Sequence, residues 1–302
     1  MIRALLLACL ILSIRTASGL AAPEEPITPL PAPATADPLK IALGERLFSD
    51  SRLSGNNGRS CVTCHNLELN GASQSSFDTT PDGSPLTLNT LTVFNSALNF
   101  RFGWEGKPRT LERGIADLLS NPKIMNCASG VAARKLAADP AMHDRFKAAY
   151  GRGPDAQNVP DALAVFLRSL LTPGSRFDRW LLGEANALSE KELAGYRLFK
   201  SLGCIACHQG MNVGGNLYER HGIFHPLARP DPVLLRVPSL RNVATTGPYF
   251  HDGSAPTLQA AVRAMGRAQL NSTLTDAQVD SIVAFLHTLT GVYRGKPVGE
   301  AE

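Results

Sequence analysis

Nothing in this chain of 302 residues limits its structure more than a short pattern, Cys-x-x-Cys-His, that occurs twice. In a helical turn, residues i, i+3 and i+4 share one face, so both thiols and the imidazole of each copy can meet one flat group. This arrangement is typical of covalent haem, with two thioether bonds to the porphyrin and the imidazole on the iron. The predicted attachment residues are Cys61, Cys64 and His65 in the first copy and Cys204, Cys207 and His208 in the second.

Three other interpretations of the cysteine pairs compete with haem: a thioredoxin-type redox pair, one zinc ion held by all four cysteines, and two short disulfides. The first two leave the histidine after each pair unexplained. With six cysteines and seven histidines in the chain, one chance match has a probability of about 0.003. Two matches therefore favour covalent haem.

The segments before the two motifs also repeat each other. Gly44–Phe48 (GERLF) precedes the first motif, and Gly195–Phe199 (GYRLF) precedes the second. Two copies of one unit are therefore predicted, each running from a helix through the cysteine motif and a long loop to a closing helix. The strong apolar spacings are helical and no long alternating run predicts a sheet, so the predicted fold class is mainly α.

Capping signals place the starts of three helices. Ser189 with Glu192, and Thr275 with Gln278, have the spacing of a capping box, which predicts a helix start at each pair. Asp161 is expected to cap a third helix. Each of these segments has an apolar stripe that favours burial against the rest of its half.

The first 37 residues have two compositions, and neither is typical of a folded domain. Residues 1–22 combine Arg3, an apolar run and small residues, which is the layout of a cleavable signal peptide, with a retained membrane anchor as the alternative. Residues 23–37 are rich in proline and alanine and are expected to form an extended leader. The mature protein is expected to lie in the periplasm and not to be an integral membrane protein.

Removal of the signal peptide changes the charge and the cysteine count. Residues 1–22 contain Arg3, Arg15, Cys9 and no acidic residue, so the net charge falls from +4 to about +2 and five cysteines remain. So small a charge gives no reason to expect nucleic acid as a partner. Five cysteines cannot all form disulfides, and Cys127, outside both motifs, is expected to be a buried apolar thiol.

The function of each haem depends on the group opposite its histidine. Met211 follows His208 by only three residues, too few to wrap around a porphyrin, whereas Met265 follows it by 57 residues in a helical stretch. Met265 is therefore the predicted second ligand of the second haem. A thioether in this position favours reduced iron and gives a high potential.

The first haem has no comparable ligand in its own half. No histidine occurs between His65 and His143, and residues 67–87 form a polar loop rich in glycine and serine. An open iron site is the favoured interpretation. Met125 lies 60 residues after His65, and if it binds the iron, the protein is a two-haem electron carrier.

His251 lies at a turn signal and is a candidate for a hydrogen bond near the second haem. The remaining histidines are expected to be solvated or to serve the fold: His143, His221, His225 and His287.

Four segments resemble the bacterial di-haem cytochrome c peroxidase and MauG family in order and spacing: LGERLFSDSRLSGNNGRSCVTCH, LNTLTVFNSALNFRFGWEG, GYRLFKSLGCIACHQGMNVGGN and VPSLRNVATTGPYFHDGSAPTLQAAVRAM. The likeness covers nearly all of residues 38–295. It implies two cytochrome c-like domains in tandem, each with one covalent haem. Residues 38–185 would hold a peroxidatic haem and residues 186–302 an electron-transferring haem. A periplasmic location is implied too, and a homodimer is one possible assembly.

The resemblance also implies roles for individual residues. His65 matches the proximal ligand of the peroxidatic haem. His208 and Met265 match the two ligands of the electron-transferring haem, where MauG proteins have tyrosine instead of methionine. Trp104 matches a tryptophan between the haems that serves as an electron route, which makes it a predicted catalytic residue with His65. Three further matches imply a calcium ion between the domains: Asn89, Thr246 and Pro248.

Two departures from the family pattern affect the first haem. Peroxidases that need reductive activation have a distal histidine in the loop where this chain has Pro81, which favours a permanently open site. Ile124 replaces the family's distal glutamate, and Gly114 stands at the nearby glutamine position. Isoleucine cannot carry the proton that makes water the leaving group, so Asp117 or Glu112 would have to substitute.

The predicted function is reduction of hydrogen peroxide to water at the haem held by His65. Electrons would come from a small c-type cytochrome or copper protein through the second haem. A MauG-like oxidase that modifies a protein partner is one alternative, and Met265 argues against it. A non-catalytic electron carrier is the other, and the missing acid argues for it.

Overall fold

The computed structural model describes residues 25–227 and 232–300, so the predicted signal peptide lies outside the described residues. Helices dominate, and the strands form two small antiparallel pairs, β1 with β2 and β3 with β4. The helices are α1 Pro38–Phe48, α2 Leu111–Ser120, α3 Ser129–Ala137, α4 Pro140–Tyr150, α5 Asn158–Ser169, α6 Arg176–Leu181, α7 Glu190–Ser201, α8 Leu258–Leu270 and α9 Asp276–His287. The strands are β1 Tyr218–Arg220, β2 Leu234–Arg236, β3 Val292–Tyr293 and β4 Lys296–Pro297. Within the described ranges, no helix is long and apolar enough to cross a membrane.

The sequence repeat corresponds to a repeated helix crossing. In the first half α1 packs against α5, and in the second half α7 packs against α9. Gly44 of α1 lies against the Ala162 carbonyl, and Gly195 of α7 lies against the Ser281 carbonyl, so that a methyl group at either glycine would overlap the facing backbone. Glycine at this place in GERLF and GYRLF therefore permits a close crossing that brings the two helix axes together in each half.

Both predicted capping boxes are confirmed. The Ser189 hydroxyl accepts a hydrogen bond from the backbone N–H of Glu192, and the Glu192 side chain bonds back to Ser189. Thr275 and Gln278 make the same reciprocal pair at the start of α9. These caps fix the first turns of the two helices that cross in the second half.

The prediction that Asp161 caps α5 was wrong. The helix begins three residues earlier, at Asn158, whose backbone N–H donates to the Asp155 side chain at 2.8 Å. Asp161 lies inside the first turn, and its carboxylate accepts a hydrogen bond from the Tyr150 hydroxyl at 2.7 Å. The Asp155 carboxylate accepts hydrogen bonds from the backbone N–H groups of Gln157 and Asn158, so donors at the actual start of the helix are satisfied without Asp161.

The proline-rich leader is extended, and it packs onto the second half of the chain. Ile27 is 1% exposed and belongs to the core cluster of that half, and Leu30 is also buried. The Leu30 backbone N–H donates to the Asp178 carboxylate at 3.2 Å. Residues 25–30 thus form part of the folded body, which composition alone did not indicate.

A buried hydrogen-bonded joint holds the two halves together. Asn95 and Asn242 stand before corresponding 3-10 turns, each in the left-handed backbone region. The Thr172 hydroxyl accepts a hydrogen bond from the Asn95 amide at 2.8 Å and from the Asn242 amide at 3.0 Å. Because all three side chains are almost fully buried, loss of any one would leave amide or hydroxyl groups unsatisfied. The joint therefore fixes how the halves sit against each other.

The substitution Gly195→Ala tests the helix crossing. We expect it to destabilise the protein by about 1 to 3 kcal/mol, because the added methyl group must push α7 away from the Ser281 carbonyl. Gly130→Ala is the matched control, since a methyl group at this position of α3 meets nothing closer than ordinary contact distance. The free energy of unfolding from denaturant titration is the measurement, and equal values for the two variants would contradict the proposed crossing.

Candidate haem centres

Both Cys-x-x-Cys-His motifs fold into the same local structure. Each forms a 3-10 turn, Cys61–Thr63 and Cys204–Ala206, and the second cysteine of the pair is the C-cap of that turn. The histidine N–H after each turn donates to the first cysteine carbonyl, at 3.0 Å in both copies. All five described cysteines are free thiols. Two equivalent turns with free thiols are compatible with two thioether bonds and one iron ligand in each copy.

The two imidazoles are oriented alike. His65 Nδ1 lies 3.0 Å from the Gly71 carbonyl oxygen, and His208 Nδ1 lies 3.4 Å from the Val213 carbonyl oxygen. A carbonyl only accepts hydrogen bonds, so each Nδ1 carries the proton and each Nε2 keeps a lone pair for a metal. A carbonyl at Nδ1 is the usual outer contact of a metal-binding histidine, so both histidines fit an iron ligand.

Burial sets the protonation of these groups. It lowers the pKa of His208 to about 4 and lowers the pKa of His65 as well. It raises the pKa of the Cys61 thiol to about 12 and that of Cys204 to about 11. At neutral pH the imidazoles are neutral and the thiols protonated, which suits iron binding through nitrogen better than a thiolate metal site.

A single cavity of about 380 Å³ contains the second motif and Met265. Its walls include Cys204, Cys207 and His208 from the motif and Met265 from α8. A volume of several hundred Å³ with mainly apolar walls is typical of a buried cofactor site. The fold thus brings the predicted ligand pair His208 and Met265 together across 57 residues of sequence.

Residues from the first half close the same cavity. Trp104 lines it, and the indole N–H donates to the Asn89 carbonyl oxygen at 2.7 Å. Thr246 and Pro248 line it too, so the three residues matched to a calcium site and the predicted electron route border one space. The Asn89 backbone N–H donates to the His251 carbonyl oxygen at 2.7 Å, which ties the two halves together beside Trp104.

His251 and His221 lie in this wall as a pair. Their ring centroids are 4.7 Å apart, and the Trp104 ring lies 6.3 Å from His251. His251 is 2% exposed and lines the cavity that contains His208; its hydrogen bond near the second haem stays a prediction. His221, which was expected to be solvated or to serve the fold, is partly exposed and also borders the cavity.

The first motif has different surroundings. Ile124 packs with Cys61 against the apolar core of the first half, and Met125 is buried in that core. A small cavity of about 90 Å³ is bordered by both Met125 and Pro81. The loop that carries Pro81 is held in place by Arg59, whose guanidinium donates to the Thr79 carbonyl oxygen at 2.8 Å. The Pro81 side chain has no atom able to bind iron, whereas Met125 carries a thioether; Cys61, Cys64 and His65 are not among the residues that line this cavity.

The two acids considered as substitutes for Ile124 are occupied elsewhere. Glu112 pairs with Arg168 at 2.5 Å, and Asp117 pairs with Arg113 at 2.9 Å. Both carboxylates are partly exposed on the surface of α2. Each carboxylate is thus engaged by an arginine at the surface, which argues against the role of substitute for the missing acid.

Two asparagines that sequence reasoning missed connect each imidazole to the opposite half. Asn70 precedes Gly71, and its amide donates to the Thr245 carbonyl. Asn212 precedes Val213, and its amide donates to the Asn95 carbonyl at 3.3 Å. A signal was present, because an asparagine follows His65 by five residues and His208 by four.

A zinc ion shared by the four motif cysteines gains no support from this geometry. In residues 25–227 and 232–300, no three His, Cys, Asp or Glu side chains are grouped so as to hold a metal ion. The two cysteine pairs belong to separate halves, each with its own helix crossing and core.

Comparison with known proteins identifies the family. The model of the di-haem cytochrome c peroxidase family matches residues 38–186, and the cytochrome c model matches residues 193–290. Cytochrome c551 peroxidase of Nitrosomonas europaea is 39% identical over 91% of this chain and 86% of its own length. The chain belongs to the di-haem cytochrome c peroxidase and MauG family.

Other relatives include both branches of this family. The methylamine utilization protein MauG of Methylorubrum extorquens is 33% identical over 74% of this chain and 68% of its own length. The crystal structure of a MauG-like protein associated with microbial copper homeostasis superposes with a TM-score of 0.75 at 26% identity. That superposition covers 87% of this chain and 93% of the other.

Membership confirms the mainly helical fold with two haem domains, and with it two covalently bound haem c groups. The protein is an oxidoreductase of the di-haem peroxidase type. The motif cysteines, the oriented imidazoles and the cavity beside Met265 all fit these cofactors.

Proposed function

We propose that the protein is a periplasmic peroxidase that reduces hydrogen peroxide to water. In this proposal His65 holds the haem at which peroxide reacts, and His208 with Met265 holds the haem that supplies electrons. A small c-type cytochrome or copper protein is the proposed electron donor. When bound, the two haems supply the redox chemistry, and the protein supplies ligands, an electron route and control of protons.

The difference between the two haem centres is the observation that supports this proposal best. Met265 shares a cavity with His208, so the second haem has two protein ligands available. At the first centre, Pro81 stands where activation-dependent peroxidases have a histidine, and its side chain offers no ligand atom for iron. Peroxide reduction needs one iron that peroxide can reach and a second iron, with both axial positions filled by protein ligands, that supplies electrons.

Trp104 is the proposed electron route between the haems. Its ring lines the cavity of the second haem while its backbone belongs to the first half of the chain. The indole N–H is held by the Asn89 carbonyl oxygen, and the Trp104 carbonyl oxygen accepts from the Arg236 N–H at 2.8 Å. Hydrogen bonds from both halves of the chain therefore hold Trp104 in place. This favours a constant length of the electron path between the two haems.

Calcium is part of the proposal. The Asn89 amide nitrogen donates to the carbonyls of Ser75 and Ser76, both at 3.1 Å. These bonds orient the amide and leave its oxygen as an acceptor. Amide and carbonyl oxygens are ligands that Ca²⁺ prefers, and Thr246 and Pro248 lie in the same cavity wall.

A di-haem electron carrier is the second candidate function. Ile124 in place of an acid favours it, because efficient cleavage of peroxide needs a proton carrier beside the iron. Met125 favours it as well, since its side chain borders the small cavity beside Pro81. In a carrier, Met125 would bind the first iron and exclude peroxide.

Ile124→Glu tests the missing proton carrier. If Ile124 occupies the distal acid position, the variant should gain peroxide turnover by about 100-fold or more, the usual contribution of a general acid and base. Ile124→Gln is the matched control, because it has the same size and polarity without a transferable proton. Steady-state peroxide consumption with a reduced cytochrome is the measurement, at equal haem content. Turnover of the Glu variant no higher than that of the Gln variant would refute the assignment.

Trp104→Phe tests the electron route. We expect slower electron transfer from the second haem to the first by roughly tenfold, equal to a barrier increase of ~1.4 kcal/mol. The variant loses the indole and its hydrogen bond to Asn89 but keeps an aromatic ring in the wall. Trp180→Phe is the control, because Trp180 stacks on Phe177 in the core of the second half. Stopped-flow mixing of the reduced protein with peroxide gives the rate, and equal rates in both variants would exclude Trp104 as the route.

A further inference from the structure

Arg236 is a buried cation that the proposed mechanism does not use. It ends β2 and is only 3% exposed. Its Nε donates to the Gly103 carbonyl oxygen at 3.1 Å, and its Nη1 lies 3.4 Å from the Val237 carbonyl oxygen. Both are neutral acceptors, so these bonds hold the guanidinium without balancing its charge.

Arg241 is a second buried arginine, and it has a carboxylate as counter-ion. Its guanidinium pairs with the Asp178 carboxylate at 2.7 Å, and both side chains are 1% exposed. Arg236 has no such partner, because no carboxylate of residues 25–227 and 232–300 lies within ion-pair distance of it. Glu219 borders the same cavity but makes no ion pair with Arg236.

A buried charge without a counter-ion is costly. Transfer of an ion into a protein interior costs several kcal/mol even after relaxation, unless an opposite charge is nearby. Burial lowers the pKa of Arg236 to about 10, so the guanidinium stays charged at neutral pH. The folded protein therefore needs an anion at this place, and residues 25–227 and 232–300 do not provide one.

The position of Arg236 indicates which anion this is. Arg236 lines the cavity that also contains Cys207, His208 and Met265. A haem c attached there brings two propionate carboxylates, and a guanidinium is the side chain best shaped to bind a carboxylate through two parallel hydrogen bonds. Cys61, Cys64 and His65 are not among the residues that line this cavity.

We propose that Arg236 is the carboxylate-binding site for a propionate of the second haem. The inference rests on the proposed attachment of that haem at His208. It gives Arg236 two tasks, because the same residue also holds the backbone of Gly103 and Trp104. The propionate and the proposed electron route are then fixed by one side chain, which makes Arg236 a positioning residue for both.

The charge has a consequence for the redox potential. Oxidation of haem iron adds a positive charge, and a nearby guanidinium opposes that charge in a buried site. Arg236 therefore raises the potential of the second haem, in the same direction as the Met265 thioether. Removal of the cation should lower the midpoint potential of this haem and leave the first haem nearly unchanged.

Arg236→Gln in the two-haem protein is the test, with both midpoint potentials measured by spectroelectrochemistry. We expect a lower potential for the methionine-ligated haem alone, and partial return toward the wild-type value in Arg236→Lys, which restores the charge. Arg197→Gln is the control, since it removes a cation from the exposed face of α7 in the same half, where solvent screens it. An unchanged potential in Arg236→Gln, or an equal shift in the control, would overturn the inference.

A second measurement does not depend on the stability of any variant. In a crystal structure of the wild-type protein with its haems, we expect Arg236 within hydrogen-bond distance of a propionate of the second haem. A different anion on the guanidinium, or none, would refute the inference. Haem content separates this from failure of the proposed function: fewer than two haems per chain contradicts the proposed attachment, whereas two haems without the contact contradicts Arg236 alone.

Discussion

The bond from each proximal imidazole to a backbone carbonyl is the interaction on which the two centres depend. His65 and His208 present Nε2 to a metal only because the carbonyls of Gly71 and Val213 hold their Nδ1 atoms. Those carbonyls belong to loops that the neighbouring asparagines fasten to the opposite half of the chain. The orientation of each iron ligand is thus tied to the packing of the two halves.

This reciprocity explains why the halves meet through polar rather than purely apolar contacts. Asn95, Thr172 and Asn242 form a joint in which each polar group is satisfied by the other half or by the connecting segment. Buried networks of this kind tolerate few alternative arrangements, because any shift leaves amides without partners. Such a joint keeps the distance between the two redox centres fixed.

Two copies of one unit have nevertheless become chemically different. The second copy keeps a methionine in the cavity of its histidine, together with a buried arginine. In the first copy, Ile124 and Cys61 both pack against the apolar core of that half, and Pro81 lies in the loop that borders the small cavity. Local structure around the cysteines is conserved between the copies, and the difference lies in residues that arrive from distant parts of the chain.

Features encoded in short segments were predictable from the sequence. The motif turns and the two capping boxes each depend on residues a few positions apart. The choice of Met265 as the partner of His208 rests on the few methionines in the chain and stays a prediction, and both residues line one cavity.

Features that depend on long-range contacts were not predictable. The packing of Ile27 onto the second half, the place of His221 in the cavity wall and the isolation of Arg236 all arise from residues far apart in sequence. Periodicity does not reveal whether a buried arginine has a carboxylate beside it. Such charges become visible only when the tertiary structure shows every neighbour of the side chain.

The most direct test of this account is the electron paramagnetic resonance spectrum of the fully oxidised protein with both haems. One high-spin ferric signal, from an iron with a vacant or weakly held sixth position, beside one low-spin signal is the predicted result. Two low-spin signals would contradict the account, because they would mean that Met125 or another strong ligand closes the first haem and that the protein only carries electrons.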